Sequence, residues 1–160
     1  MSMPKPLHIV VISHDSAELS SVVTAILRDG HGHAPSYHPH IIPSSYLGLT
    51  ERWELTKAGM RHNLRIPENT NSYVIDPRRI DLWLALDKKV VKYSKRLIKK
   101  MGPAPDGYYR NAFPNPVEYC GFLVPFVDKS YPSFEAWFDE LKELFDPWKK
   151  RIWDAYLQSS

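Results

Sequence analysis

The sequence has one cysteine, Cys120, in 160 residues. A lone thiol closes no intrachain disulfide, which excludes the stapled scaffolds of small secreted proteins and leads us to expect a reducing, cytoplasmic setting. Glycine is scarce, with 7 residues against 14 prolines, so the connections are expected to be stiffened by fixed φ angles. Long apolar runs are also missing. The longest near the start, Leu7 to Ile12, is too short for a secretory core and far too short to span a bilayer. Neither a targeting signal nor a membrane partner is therefore expected. The remainder is 43% hydrophobic and 24% charged, the composition of an ordinary globular protein. At this length one hydrophobic core is normal, and a single domain over 1–160 of α+β or α/β class follows.

Leu7 to Ser13 is a β-branched apolar run and reads as a buried strand. Ser13 to Ser16 can cap a helix whose apolar positions Leu19, Val22, Val23, Ile26 and Leu27 recur at helical spacing. The turn between strand and helix contains no glycine, so it is neither a phosphate-cradling loop nor a dinucleotide fingerprint. Ser13, His14 and Asp15 are the residue types of a hydrolytic triad, but adjacent residues do not point at one another, and capping accounts for them better.

Further along, His31 to Ser45 reads as an extended or hairpin segment, Thr50 to Met60 as a helix and Ser72 to Ile75 as a brief strand. Asp76-Pro77 is a cap followed by proline at the first helical position, and the helix it opens is expected to run to Met101, where Gly102-Pro103 stops it. Its apolar stripe includes Ile80, Trp83 and Leu84, with Trp83 facing the core. Tyr119 to Val127 is an expected strand with Phe122 to Val124 in the core. Ser133 to Phe145 is an expected acidic helix, and Asp146-Pro147 opens a second one. The architecture expected is short strands, one long basic helix and a C-terminal helix pair.

Four of the seven histidines, His31, His33, His38 and His40, fall within ten residues as His-Gly-His and His-Pro-His. On extended backbone, residues two apart face the same side, so each pair has the spacing to offer two imidazoles to one metal ion. The alternative is a polar, histidine-rich loop. The run His40-Ile-Ile-Pro43, followed by Leu55, Gly59, Asn63, Asn69, Asn71 and the Asp76-Pro77 helix start, resembles the toxin-type branch of the HNH nuclease superfamily over about residues 38–101.

That resemblance implies a hairpin packed on a helix around one divalent metal ion, with a histidine activating water against a phosphodiester. It makes His40 the general base, Asn69 or Asn71 its orienting partner, and His38, His33, His31 and Asp81 the candidate metal ligands. Two positions depart from the family pattern: Pro39 stands where a second histidine is usual, and no histidine follows His62.

Charge is unevenly distributed. Residues 76–110 carry ten basic and four acidic groups, and residues 111–160 five basic and eight acidic. Within the basic segment, Lys88, Lys89, Lys92, Lys95, Arg96, Lys99 and Lys100 fill one helical stretch, enough for non-specific contact with the phosphates of DNA or RNA. Lysine predominates, which suits point-charge contact over base reading. The plainer alternatives are a solvated face or a face docked on the acidic helix.

Two functions of different class follow. One is a metal-binding HNH-like hydrolase acting on nucleic acid. The other is a non-catalytic component of a larger viral or ribonucleoprotein assembly, with the basic helix and the aromatic C-terminal helices (Trp148, Trp153, Tyr156) as contacts, the latter for a protein partner. Cys120, in an apolar run, reads as a buried inert thiol.

Overall fold

The computed structural model describes residues 7–14, 17–29, 35–42, 57, 59–61, 63–65, 76–102, 113–121 and 134–158. Strand β1 (Leu7–His14) is followed by helix α1 (Ala17–Arg28) and strand β2 (Pro35–Ile42). A 3-10 turn (Pro77–Arg79) precedes β3 (Leu82–Ala85), and then come α2 (Lys88–Met101), β4 (Val117–Tyr119) and α3 (Phe134–Gln158). The four strands form one sheet in the order β2-β1-β3-β4, and every pairing in it is parallel. The fold is α/β.

Parallel sheets are covered on both faces, so their strands read as nearly continuous apolar runs. Alternate residues of β1 and β3 divide here between two cores. Leu7, Ile9, Val11, Leu82, Leu84 and Leu86 pack with α1 and α3, through Val22, Leu27, Trp137, Phe138 and Phe145 among others. On the other face, Val10, Ile12, Trp83 and Ala85 pack with Val90 of α2. The sheet therefore separates the basic helix α2 from the acidic first half of α3, which rules out docking of one on the other.

Three expected elements differ in the structure. The helix expected over 77–101 is a 3-10 turn, a buried strand and a shorter helix. Ile80, Trp83 and Leu84 fit helical spacing, but the whole stretch Ile80–Leu86 is buried, a pattern that a helix with one wet face does not give. The cap at Asp76 is real: its carboxylate accepts from Arg78 N at 3.0 Å, and the adjacent Arg78 guanidinium holds that carboxyl down at about 2.

The segment expected to be extended or a hairpin is extended: it contains β2, which runs parallel to β1, where a hairpin would pair antiparallel. Its prolines fit because β2 is an edge of the described sheet and Pro35 is its first residue. The C-terminal pair is one helix containing Pro147, whose ring crowds the carbonyl of the residue four positions earlier. Phe145 and Ile152, both buried in the α1-side core, anchor the helix on either side of that proline. Residues 122–124 and most of the expected helix at 50–60 lie outside the described residues, though 57 and 59–61 are helical.

The face between β3 and α2 contains a cost. Ser94 is fully buried, and its hydroxyl has no hydrogen-bond partner among the described residues. Leaving a buried hydroxyl unsatisfied costs on the order of 1–3 kcal/mol, and alanine is also the better helix former. Ser94→Ala is expected to raise the unfolding free energy by about 1 kcal/mol in urea titrations. A loss of similar size would show that the hydroxyl is bonded after all.

Candidate functional site

In open parallel sheets, ligands bind outside the carboxyl ends of the strands, where successive connections leave toward opposite faces. Here that point lies between β1 and β3. The chain leaves β1 for α1 on one face and leaves β3 for α2 on the other. Leu86 N donates to Ile12 O at 2.9 Å and so extends the β1–β3 pairing to the sheet edge.

Asp87 stands at this switch point, where sheets of this kind form their crevice. Its Oδ1 accepts from Val90 N at 3.1 Å, which caps α2, and its Oδ2 accepts from His14 N at 2.6 Å, which ties the end of β1 to the start of α2. One carboxylate thus satisfies two backbone donors from separate elements. Ser13, the residue before His14, is fully buried, and residues 15 and 16 lie outside the described residues. Sequence reasoning missed Asp87 because the helix was expected to begin at Pro77 and begins instead at Lys88. The available signal was an aspartate closing the apolar run Leu82–Leu86 directly before a lysine-rich stretch.

Cys120 follows β4, two strands from β1, roughly 10 Å across the sheet. Its N–H donates to Ala85 O at 3.1 Å, and its side chain is half-buried against the α1-side core. Burial, then the neighbouring Glu118 carboxylate, pushes its thiol well above the ordinary value.

Among the described residues, the expected nuclease site is not brought together. His38 and His40 stand on β2 opposite Val10 and Ile12 of β1, with parallel backbone in place of a hairpin. Asp81 is buried at the other end of the sheet, where its Oδ2 accepts from His8 N at 2.9 Å. The register puts His8 four residues before Ile12, so Asp81 and His40 are separated by roughly 13 Å along the strands as well as across them. No common ion spans that distance. His31, His33, Asn69 and Asn71 lie outside the described residues. Among the described residues no group of three His, Cys, Asp or Glu side chains has the geometry to hold a metal ion.

The desolvated imidazole of His8 has a pH consequence. Burial is the main cause that lowers its pKa below the ordinary value, opposed by the Asp81 carboxylate and assisted by Arg79. The unfolded chain then binds more protons than the folded one between the lowered value and about 6.5, so stability rises with pH through that window. Acidification from neutral pH is expected to lower the unfolding midpoint, and His8→Gln to flatten that part of the profile. An unchanged slope in the variant would assign the dependence elsewhere.

All seven basic residues of α2 are exposed, and none makes an ion pair among the described residues. Lys89, Lys92, Tyr93, Arg96, Leu97 and Lys100 line a groove of about 430 Å³ along the helix. No helix among the described residues is long and apolar enough to cross a membrane.

No protein-family model matches the chain, and no curated protein does. Solved structures do. A YwlE mutant from Bacillus subtilis superposes with a TM-score of 0.64 at 13% identity, covering 91% of this chain and 98% of that one. The YwlE arginine phosphatase from Geobacillus stearothermophilus gives 0.63 at 11% identity, covering 97% and 98%. A protein tyrosine phosphatase gives 0.61 at 14% identity, covering 90% and 94%.

The chain therefore has the parallel-sheet fold seen in these phosphatases over nearly its whole length. This fold corrects the nuclease reading. The resemblance to HNH toxins and the hydrolase acting on nucleic acid rested on a hairpin-and-helix site that the described sheet does not contain, and the divalent metal cofactor, read also from the spacing of the histidines, finds no ligand group among the described residues. The assembly-component reading gains nothing from these neighbours either.

Proposed function

We propose that the chain is a phosphatase-fold domain that binds a polar small molecule at the carboxyl edge of its sheet and does not hydrolyse phosphate esters through a cysteine thiolate. The position of its one cysteine carries this reading. A cysteine nucleophile needs a thiolate, favoured by a helix N-terminus or nearby cations. Cys120 instead follows an edge strand of the described sheet, and the charge that acts on its thiol is the Glu118 carboxylate.

The charges of the crevice point the same way. Asp87 already occupies the N-terminus of α2, and residues 13–21 include Asp15 and Glu18 but no lysine or arginine. A phosphate dianion at the start of α2 would meet the Asp87 carboxylate where the helix dipole favours anions. A neutral or cationic polar ligand suits the crevice better.

Turnover of p-nitrophenyl phosphate, phosphotyrosine and phosphoarginine tests the proposal. The wild-type chain and Cys120→Ser are expected to give the same background rate. Turnover by the wild type that vanishes in Cys120→Ser and is blocked by vanadate would overturn it.

A further inference from the structure

We propose that the lysine-rich flank of α2, beside the core face on which Tyr93 and Leu97 partly pack, is a binding surface for single-stranded nucleic acid, with Lys89, Lys92, Arg96 and Lys100 taking phosphates and Tyr93 stacking a base. These residues line one groove at helical spacing. Between Lys89 and Lys100 the helix rises roughly 16 Å, which faces about five phosphates of a stacked strand at 3.4 Å each. The four cations are solvent-exposed and free of ion pairs among the described residues, and α2 contains no acidic residue. Counterion release on phosphate contact therefore goes unopposed by local carboxylates.

The aromatic residue selects among polyanions. Tyr93 and Leu97 are half-buried in the groove between the flanking lysines. A duplex hides the faces of its bases, whereas an unpaired base can lie on an aromatic ring. An acidic peptide gains little from such a ring. A bilayer rewards bulky apolar side chains that project beyond the basic ones, and on this face they are recessed. Lysine outnumbers arginine, so contact is to backbone and independent of sequence.

Fluorescence anisotropy with labelled oligothymidylate and oligouridylate over a salt series tests the surface. Four phosphate contacts predict a log–log salt slope of about −3, at about 0.7 per contact on single strands. Replacing Lys89, Lys92, Arg96 and Lys100 together by Gln is expected to weaken binding at least about tenfold and flatten the slope. Tyr93→Leu is expected to weaken it by roughly tenfold with the slope unchanged.

The four charge changes are on exposed side chains, so they remain informative should Tyr93→Leu fail to fold. Three results would each overturn the proposal: no binding at low salt, binding indifferent to the four-fold variant, or equal capture of polyglutamate or anionic vesicles without dependence on Tyr93. The expected result stands whether or not the carboxyl edge proves to hydrolyse phosphate esters.

Discussion

Trp83→Ala is expected to lower the unfolding free energy by about 4 kcal/mol, within the range of 3–5 for removing a large buried aromatic side chain. Trp83 is fully buried in a central strand, packed in the same core as Val10, Ile12 and Val90. Its neighbours belong to β1 and α2, which the sheet and cap hold in place, so the cavity left behind closes only in part. Trp83→Phe retains most of the apolar area and is expected to cost about half as much. Urea titration followed by far-ultraviolet circular dichroism measures both. A loss under about 1 kcal/mol for the alanine variant would mean that Trp83 lies on a yielding surface and that β3 is misassigned.

Asp87→Ala is expected to cost about 2–3 kcal/mol. Losing an N-cap accounts for about 1 kcal/mol, and the bond from His14 N to a charged acceptor is worth roughly a further 1.5–3, reduced here because the carboxylate keeps some exposure. Asparagine caps helices well, so Asp87→Asn should recover about half of the loss. Equal destabilisation by both variants would place the effect in the charge of Asp87 and not in its cap geometry. The amide of His14 should exchange with solvent faster in Asp87→Ala, because its acceptor has gone.

The sequence was legible where one local pattern had one structural meaning. Leu7 to Ile12 is a short β-branched run, and Leu19 to Leu27 follows one helical stripe; both became the expected elements, β1 and α1. It was misleading where two patterns coincide. Ile80, Trp83 and Leu84 sit at helical intervals inside a run that a buried parallel strand also produces, and only the second core, supplied by α2, decides between them.

Pro147 misled for a related reason, while Pro39 sits in a segment already read as extended or a hairpin. Proline is excluded from the middle of a central strand or an isolated helix, but β2 is an edge strand and α3 is pinned by Phe145 and Ile152. The candidate site suffered most. His40-Ile-Ile-Pro43 carries a local resemblance, but the partner of that segment is β1, about thirty residues away, and no spacing within 38–101 shows that pairing. The lysines of α2 were read correctly as an exposed basic stretch because i, i+3 and i+4 periodicity needs no tertiary partner.

The central claim, that this phosphatase fold works without a cysteine nucleophile, is tested most directly by the pH dependence of Cys120 alkylation with iodoacetamide under native conditions. Burial beside Glu118 keeps the thiol protonated, so alkylation should be slow, should show no inflection below about pH 9, and should speed up on unfolding. Rapid alkylation of the folded protein with a midpoint near about pH 5–6, slowed by phosphate or vanadate, would identify a poised thiolate in an anion site and contradict the account.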